Sequence, residues 1–106
     1  MLSEFDPATL EARATEVAAV LRALANERRL MILCRLVQWG EVRVGALAEA
    51  VGLSPSALSQ HLARMRAEGL VTTRRDATAV WYRIADPRLE QLFAALYRTY
   101  CAPGRG

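Results

Sequence analysis

Ala48, Gly52 and Leu58 constrain this chain more than any other three residues in it. Two helices that cross steeply need a small side chain where their backbones approach, and Ala48 meets that need. The turn between them needs a residue tolerant of positive φ, a freedom particular to glycine, and Gly52 stands there. A large apolar side chain on the second helix, Leu58, closes the pair. Residues 45–68 therefore read as a helix-turn-helix, with a short helix from about Gly45 to Val51 and a second from Pro55 to Glu68 that Gly69 stops. Leu58, Leu62 and Met65 make the inward face of that second helix.

The rest of the chain is legible from its caps and its periodicity. Asp6-Pro7, Ser54-Pro55 and Asp86-Pro87 each set a capping oxygen before a proline at the first helical position. From Pro7 the stripe Leu10, Ala14, Val17, Leu21, Leu24 predicts one helix over 7–24. Asn26 caps the next, Glu27 to about Gln38, with Leu30, Leu33, Cys34 and Val37 on one face and Gly40 ending it. Two β-like runs, Leu70–Arg74 and Ala79–Ile84, flank the polar turn Arg75–Thr78 and make a hairpin, or wing, over 70–84. A last helix over 87–101 carries Leu89, Leu92, Phe93, Leu96, Tyr97 and Tyr100. The tail from Ala102 to Gly106 reads as frayed. The order is α-α-α-α-β-β-α, mainly α with a β-hairpin, and 106 residues fit a single domain, 1–106.

A hydrophobic fraction of 53% excludes a mainly disordered chain, and it is high enough to suggest apolar surface buried against a second subunit. The formal net charge of +3 says little by itself, but Ser54 to Ile84 holds five arginines against Glu68 and Asp76. Glu4 and Asp6 stand where a signal peptide would be basic, and no run approaches a membrane span. The chain reads as cytoplasmic, with no membrane partner, where two cysteines are not expected to form a permanent structural disulfide. Neither cysteine has a Cys-x-x-Cys partner or a nearby acid or histidine, and no phosphate-binding loop occurs, so an enzyme is not expected.

Ser56, Ser59, Gln60, Ala63 and Arg64 form the outward face of the second helix, near an N-terminus capped by Ser54. Small and amide side chains there suit base edges in a major groove, and the helix N-terminus and its arginine suit phosphates. Arg74 and Arg75 stand at the hairpin tip, placed for a backbone or minor-groove contact. Singly, each of these residues reads equally well as solvated surface. As an ordered set of turn, polar helix and basic hairpin they read as a double-stranded-DNA-binding surface. His61, beside Leu62 and three residues after Leu58, reads first as a packed histidine and second as a DNA-phosphate contact.

The segments Asn26-Glu27-Arg28-Arg29-Leu30, Ser54 to Leu62, Glu68-Gly69-Leu70-Val71 with Arg74-Arg75, and Val80-Trp81-Tyr82-Arg83 resemble the ArsR/SmtB family of bacterial repressors. The resemblance implies a winged helix-turn-helix homodimer joined through its first and last helices and bound to an imperfect inverted repeat. It also implies metal positions to check. The thiolate-type position falls on Arg43; on the last helix Asp86 matches, but Arg88 and Thr99 follow, and arginine cannot ligate zinc. No metal or other cofactor is therefore expected.

Cys34 and Cys101 remain. Each continues an apolar stripe, and spacing alone favours two core thiols. The pair resembles the branch holding the sulfide-responsive repressors BigR and SqrR and the regulator HlyU, and that resemblance implies a dithiol that responds to persulfides. Arg35 and Arg98 are near the two cysteines in sequence and favour a thiolate at each, whereas Cys101 closes a helix whose C-terminal end disfavours negative charge, so Cys34 is the expected attacking sulfur. A metal or haem effector held by Cys34, Cys101 or His61, and an HlyU-like anti-repressor that raises transcription, stay open as alternatives.

Overall fold

Three helices of this chain begin in one way. The computed structural model describes residues 5–101. In it the Asp6 carboxylate accepts Ala8 N–H at 3.2 Å and Thr9 Oγ1–H at 2.8 Å, Ser54 Oγ accepts Ala57 N–H at 3.1 Å, and Asp86 Oδ1 accepts Arg88 N–H at 2.9 Å. Proline follows each cap, where its missing N–H leaves no helical bond unmade. Asn26 caps without proline, accepting Arg29 N–H at 3.1 Å. The resulting elements are α1 (Pro7–Ala12), α2 (Ala14–Leu24), α3 (Glu27–Trp39), α4 (Val44–Val51), α5 (Pro55–Ala67), β1 (Val71–Asp76), β2 (Ala79–Ile84) and α6 (Pro87–Tyr100). Among the described residues no helix is long and apolar enough to cross a membrane. The tail from Ala102 lies outside them.

The chain divides between Leu30 and Met31 into two compact units. In the first, the single helix expected over 7–24 is broken at Arg13, which sits at φ −107° and ψ 7°. Its N–H bonds to Leu10 O at 3.0 Å, three residues back rather than four, so one turn is tightened. The Arg13 guanidinium then pairs with Glu16 at 2.7 Å. Steps of three and four fit a tightened turn as well as a regular one, and neither glycine nor proline marks it. Leu10, Val17 and Leu21 stay exposed.

The second unit has its core between α3, α4, α5, the hairpin and the start of α6. Ile32, Leu33, Leu36, Leu47, Leu58, Leu62, Met65 and Val71 are almost wholly buried. Burial of each such large side chain is worth about 1.5–3 kcal/mol. The core face of α3 differs from expectation: Ile32, Leu33 and Leu36 turn inward, and Cys34 turns out. The run Leu30 to Val37 is apolar on more than one face, so period alone does not choose between stripes. Ala48 is buried where α4 packs on α5. Gly52 takes φ 71°, and Leu53 N–H returns to Ala48 O at 3.0 Å to close the turn.

The hairpin is antiparallel, pairing Val71 with Ile84 through to Asp76 with Ala79. The expected four-residue turn is shorter, because Arg75 and Asp76 join the ladder opposite Val80 and Ala79. Ala77 and Thr78 suffice as a turn since Ala77 takes φ 55°, the positive φ that the first central residue of a type II′ turn requires. Val42 adds an antiparallel bridge, donating to Tyr82 O at 3.1 Å and accepting Tyr82 N–H at 2.8 Å. Ala85 N–H bonds to Leu70 O at 3.0 Å as the chain enters α6. Along α6 Leu89 is buried, Leu92 and Phe93 are half-buried, and Leu96, Tyr97 and Tyr100 are exposed.

Ser54→Ala removes a cap and is expected to cost about 1 kcal/mol, lowering Tm by roughly 4–8 °C in thermal unfolding followed by circular dichroism. Ala77→Gly relieves a conformation that L-residues resist, partly offset by a more flexible unfolded chain. A net gain of about 0.5 kcal/mol and a slightly higher Tm are expected.

Candidate nucleic-acid interface

The rotation of α5 about its axis is set by its buried side. With Leu58, Leu62 and Met65 fully enclosed, Ser56, Ser59, Gln60, Ala63 and Arg64 all face solvent. Ser54 satisfies one first-turn N–H of α5; an α-helix leaves its opening N–H groups without intrahelical partners and its N-terminus partly positive. The helix thus presents hydroxyls, an amide, backbone donors and an arginine along one exposed strip, which is a surface suited to an anionic, hydrogen-bonding polymer. His61 is half-buried between that strip and the core face.

Arg74 and Arg75, the wing arginines expected at the DNA, have different surroundings. Arg75 is exposed and makes no ion pair among the described residues. Arg74 is not at the tip, which is Ala77–Thr78, and it does not point freely into solvent. Its Nε donates to Glu41 Oε2 at 2.9 Å and its Nη2 to Glu41 Oε1 at 2.8 Å, a two-pronged pair across 33 residues of sequence. Its guanidinium carbon also lies 5.9 Å from the Trp81 ring centroid. The hydrogen bond from Arg74, then the positive field of Arg74 and Arg83, hold the Glu41 carboxyl below its ordinary range. Glu41 was invisible to sequence reasoning: nothing local marks it, and only the Val42–Tyr82 bridge brings it beside the wing.

Cys34 and Cys101 both lie in the second unit, and both are free thiols exposed to solvent, so the core-thiol reading does not hold. Cys34 stands on the outer side of α3. Cys101 is the C-cap of α6, its N–H bonded to Tyr97 O at 2.8 Å. Arg35, next to Cys34, is turned to other partners: it donates to Gln38 at 3.2 Å and stacks 5.5 Å from the Trp39 ring centroid.

Among the described residues no group of three or more His, Cys, Asp or Glu side chains converges as a metal site would require. Asp86, the one acidic match to a metal position, is already committed. Besides capping α6 it accepts Arg88 Nε at 3.0 Å and Arg88 Nη2 at 2.7 Å through Oδ2.

A helix pair joined by a glycine turn, a polar second helix and a β-hairpin directly after it define a winged helix-turn-helix. Residues 26–73 match the model of the bacterial regulatory protein, arsR family. The chain is 44% identical over 92 residues to the transcriptional activator HlyU of Vibrio cholerae, covering 87% of this chain and 84% of that one. Its fold superposes on the transcriptional repressor BigR from Xylella fastidiosa with a TM-score of 0.84, at 40% identity over 92% of this chain and 99% of that one. A homodimeric winged helix-turn-helix DNA-binding domain from Mycobacterium bovis matches with a TM-score of 0.72, at 39% identity over 93% and 89% of the two chains. This chain belongs to the arsR family and is a transcriptional regulator.

The carboxyls of Glu41 and Asp86 are held down chiefly by hydrogen bonds from Arg74 and Arg88, respectively. Because the folded values are depressed, both contacts contribute fully above the unfolded carboxylate range and are lost as pH falls through the lowered folded values. Carboxyl titration by NMR should find Glu41 and Asp86 each below the ordinary value of its residue type. Arg74→Met should raise Glu41 toward its ordinary value, with Arg83 still holding it down, and leave Asp86 where it is.

Proposed function

We propose that this protein is a homodimeric repressor that leaves an inverted-repeat operator when Cys34 and Cys101 are oxidised together by reactive sulfur species. In this reading Ser56, Ser59 and Gln60 meet base edges, while Ser54, His61, Arg64 and the wing arginine Arg75 meet backbone phosphates. The segments 7–24, which holds α1 and α2, and 87–101, which holds α6, join the subunits. Support for that pairing comes from their exposed apolar residues, Leu10, Val17 and Leu21 on one and Leu96, Tyr97 and Tyr100 on the other, together with the homodimeric state of the Mycobacterium bovis relative.

The observation that carries the switch is that Cys34 on α3 and Cys101 at the end of α6 are both free thiols that their own chain does not bury. The chemistry balances without a cofactor. The Cys34 thiolate attacks the outer sulfur of a persulfide, RSSH, whose S–S bond breaks and releases RSH, leaving Cys34 as a persulfide. The Cys101 thiolate then attacks the inner sulfur and expels hydrogen sulfide. Two thiols and one RSSH become one disulfide, RSH and hydrogen sulfide. When a second RSSH first converts Cys101 to a persulfide, releasing another RSH, its terminal sulfur attacks the inner sulfur of the Cys34 persulfide and expels hydrogen sulfide, which leaves a trisulfide bridge. Either link ties α3 to the end of α6, so the spacing of two reading heads across a dimer changes.

Polarity has a second reading, favoured by the HlyU relative, which is described as an activator: the same DNA-binding form raises transcription by displacing another repressor. Footprinting on the protein's own upstream region, with and without a persulfide donor, tests both. The expected result is a protected inverted repeat, with affinity falling by roughly 10-fold or more after treatment, about 1.4 kcal/mol of coupling. Mass spectrometry should then find Cys34 joined to Cys101. Cys34→Ser and Cys101→Ser should each bind DNA normally and ignore the donor. Treated wild-type protein that stays unlinked and binds unchanged would sink the switch and leave DNA binding standing.

A further inference from the structure

Arg74 and Arg75 are neighbours in sequence on opposite faces of one hairpin, and those faces lead to different tasks. Residues directly opposite in an antiparallel ladder share a face. Arg74 therefore shares its face with Trp81, and two positions along with Thr72 and Arg83; Arg75 shares the other with Val80. On the Arg74 face stands Glu41, held by two parallel charge-assisted hydrogen bonds. The next residue, Val42, exchanges two backbone hydrogen bonds with Tyr82. The loop between α3 and α4 is thus fastened to the wing twice in succession, by the Glu41 side chain and the Val42 backbone. Trp81 contributes its ring face to Arg74, and its indole Nε1 is buried without a hydrogen-bond partner among the described residues, so the ring is held by packing and stacking.

This geometry works against Arg74 as a phosphate ligand. A phosphate that reached its guanidinium would approach the Glu41 carboxylate as well, and would have to break a bidentate pair of well-matched shape. Arg75 faces no such competitor. We infer that Arg74 is a positioning residue: the Glu41–Arg74–Trp81 clamp sets the wing against the α3–α4 loop, and the wing's contact with the DNA backbone falls to Arg75. The inference rests on the DNA-binding reading above and refines it.

Salt dependence separates the two roles, because each phosphate contact adds about 0.9 to the slope of log K against log salt concentration. The probe is a fluorescein-labelled duplex from the protein's own upstream region, titrated with the full-length chain over a range of salt. Arg75→Ala should lower the slope by roughly 0.9 per subunit, and Arg75→Lys should restore it. Arg74→Lys keeps the charge but cannot make two parallel bonds, and Glu41→Gln keeps the shape but loses the charge. Each should weaken binding about 3- to 10-fold with the slope unchanged, and the double variant should be no worse than either alone. Circular dichroism of each variant checks that it folds. Arg74→Lys at wild-type affinity, a slope lowered in Arg74→Met by about one per subunit, or tighter binding by Glu41→Gln would each overturn the inference and leave DNA binding intact. A wild-type chain that binds no upstream duplex would overturn the DNA-binding reading itself, and the inference with it.

Discussion

The enclosure of Leu58, Leu62 and Met65 is the constraint on which the rest of the second unit depends. Three side chains at helical spacing, each essentially without solvent contact, leave α5 one rotation about its axis. Ala48 and the left-handed Gly52 then leave α4 one way to cross it. Every polar residue on the far side of α5 inherits its direction from that burial. Exposed serines and a glutamine have no packing partners of their own to orient them; their direction comes from the leucines on the other side.

The arginines show why net charge describes this molecule poorly. Arg13, Arg74 and Arg88 are each held by a carboxylate, and Arg35 by Gln38 and the ring of Trp39. These cations fasten elements and contribute little field beyond them. Arg64 and Arg75 make no ion pair among the described residues and remain available to an anionic partner. The formal charge of only +3 hides this division, because Glu16, Glu41 and Asp86 each neutralise an arginine locally while Arg64 and Arg75 keep their charge unpaired among the described residues.

Much of this is legible in the sequence, and the features that are not share a cause. Asp6, Asn26, Ser54 and Asp86 act within three residues of themselves, so their roles as caps are written locally. The core side of α5 follows from one unambiguous stripe. By contrast, α3 offers apolar residues on several faces, and only tertiary packing selects Ile32, Leu33 and Leu36 and turns Cys34 outward. The break at Arg13 is a single tightened turn that apolar spacing does not register. The fate of Arg74 depends on Glu41, 33 residues away. Long-range side-chain pairing leaves no periodic mark, so both partners look like ordinary surface until the loop and hairpin are seen side by side.

The junction between hairpin and last helix has a mechanical meaning. Only Ala85 and Asp86 separate β2 from α6, and neither is slack. Ala85 is tied back to Leu70, while Asp86 grips the first turn of the helix it precedes through Arg88. A joint so short and so fully bonded absorbs little torsion. Any twist applied along α6 is passed to the hairpin as to the blade of a lever, with the buried Leu89 close to its fulcrum.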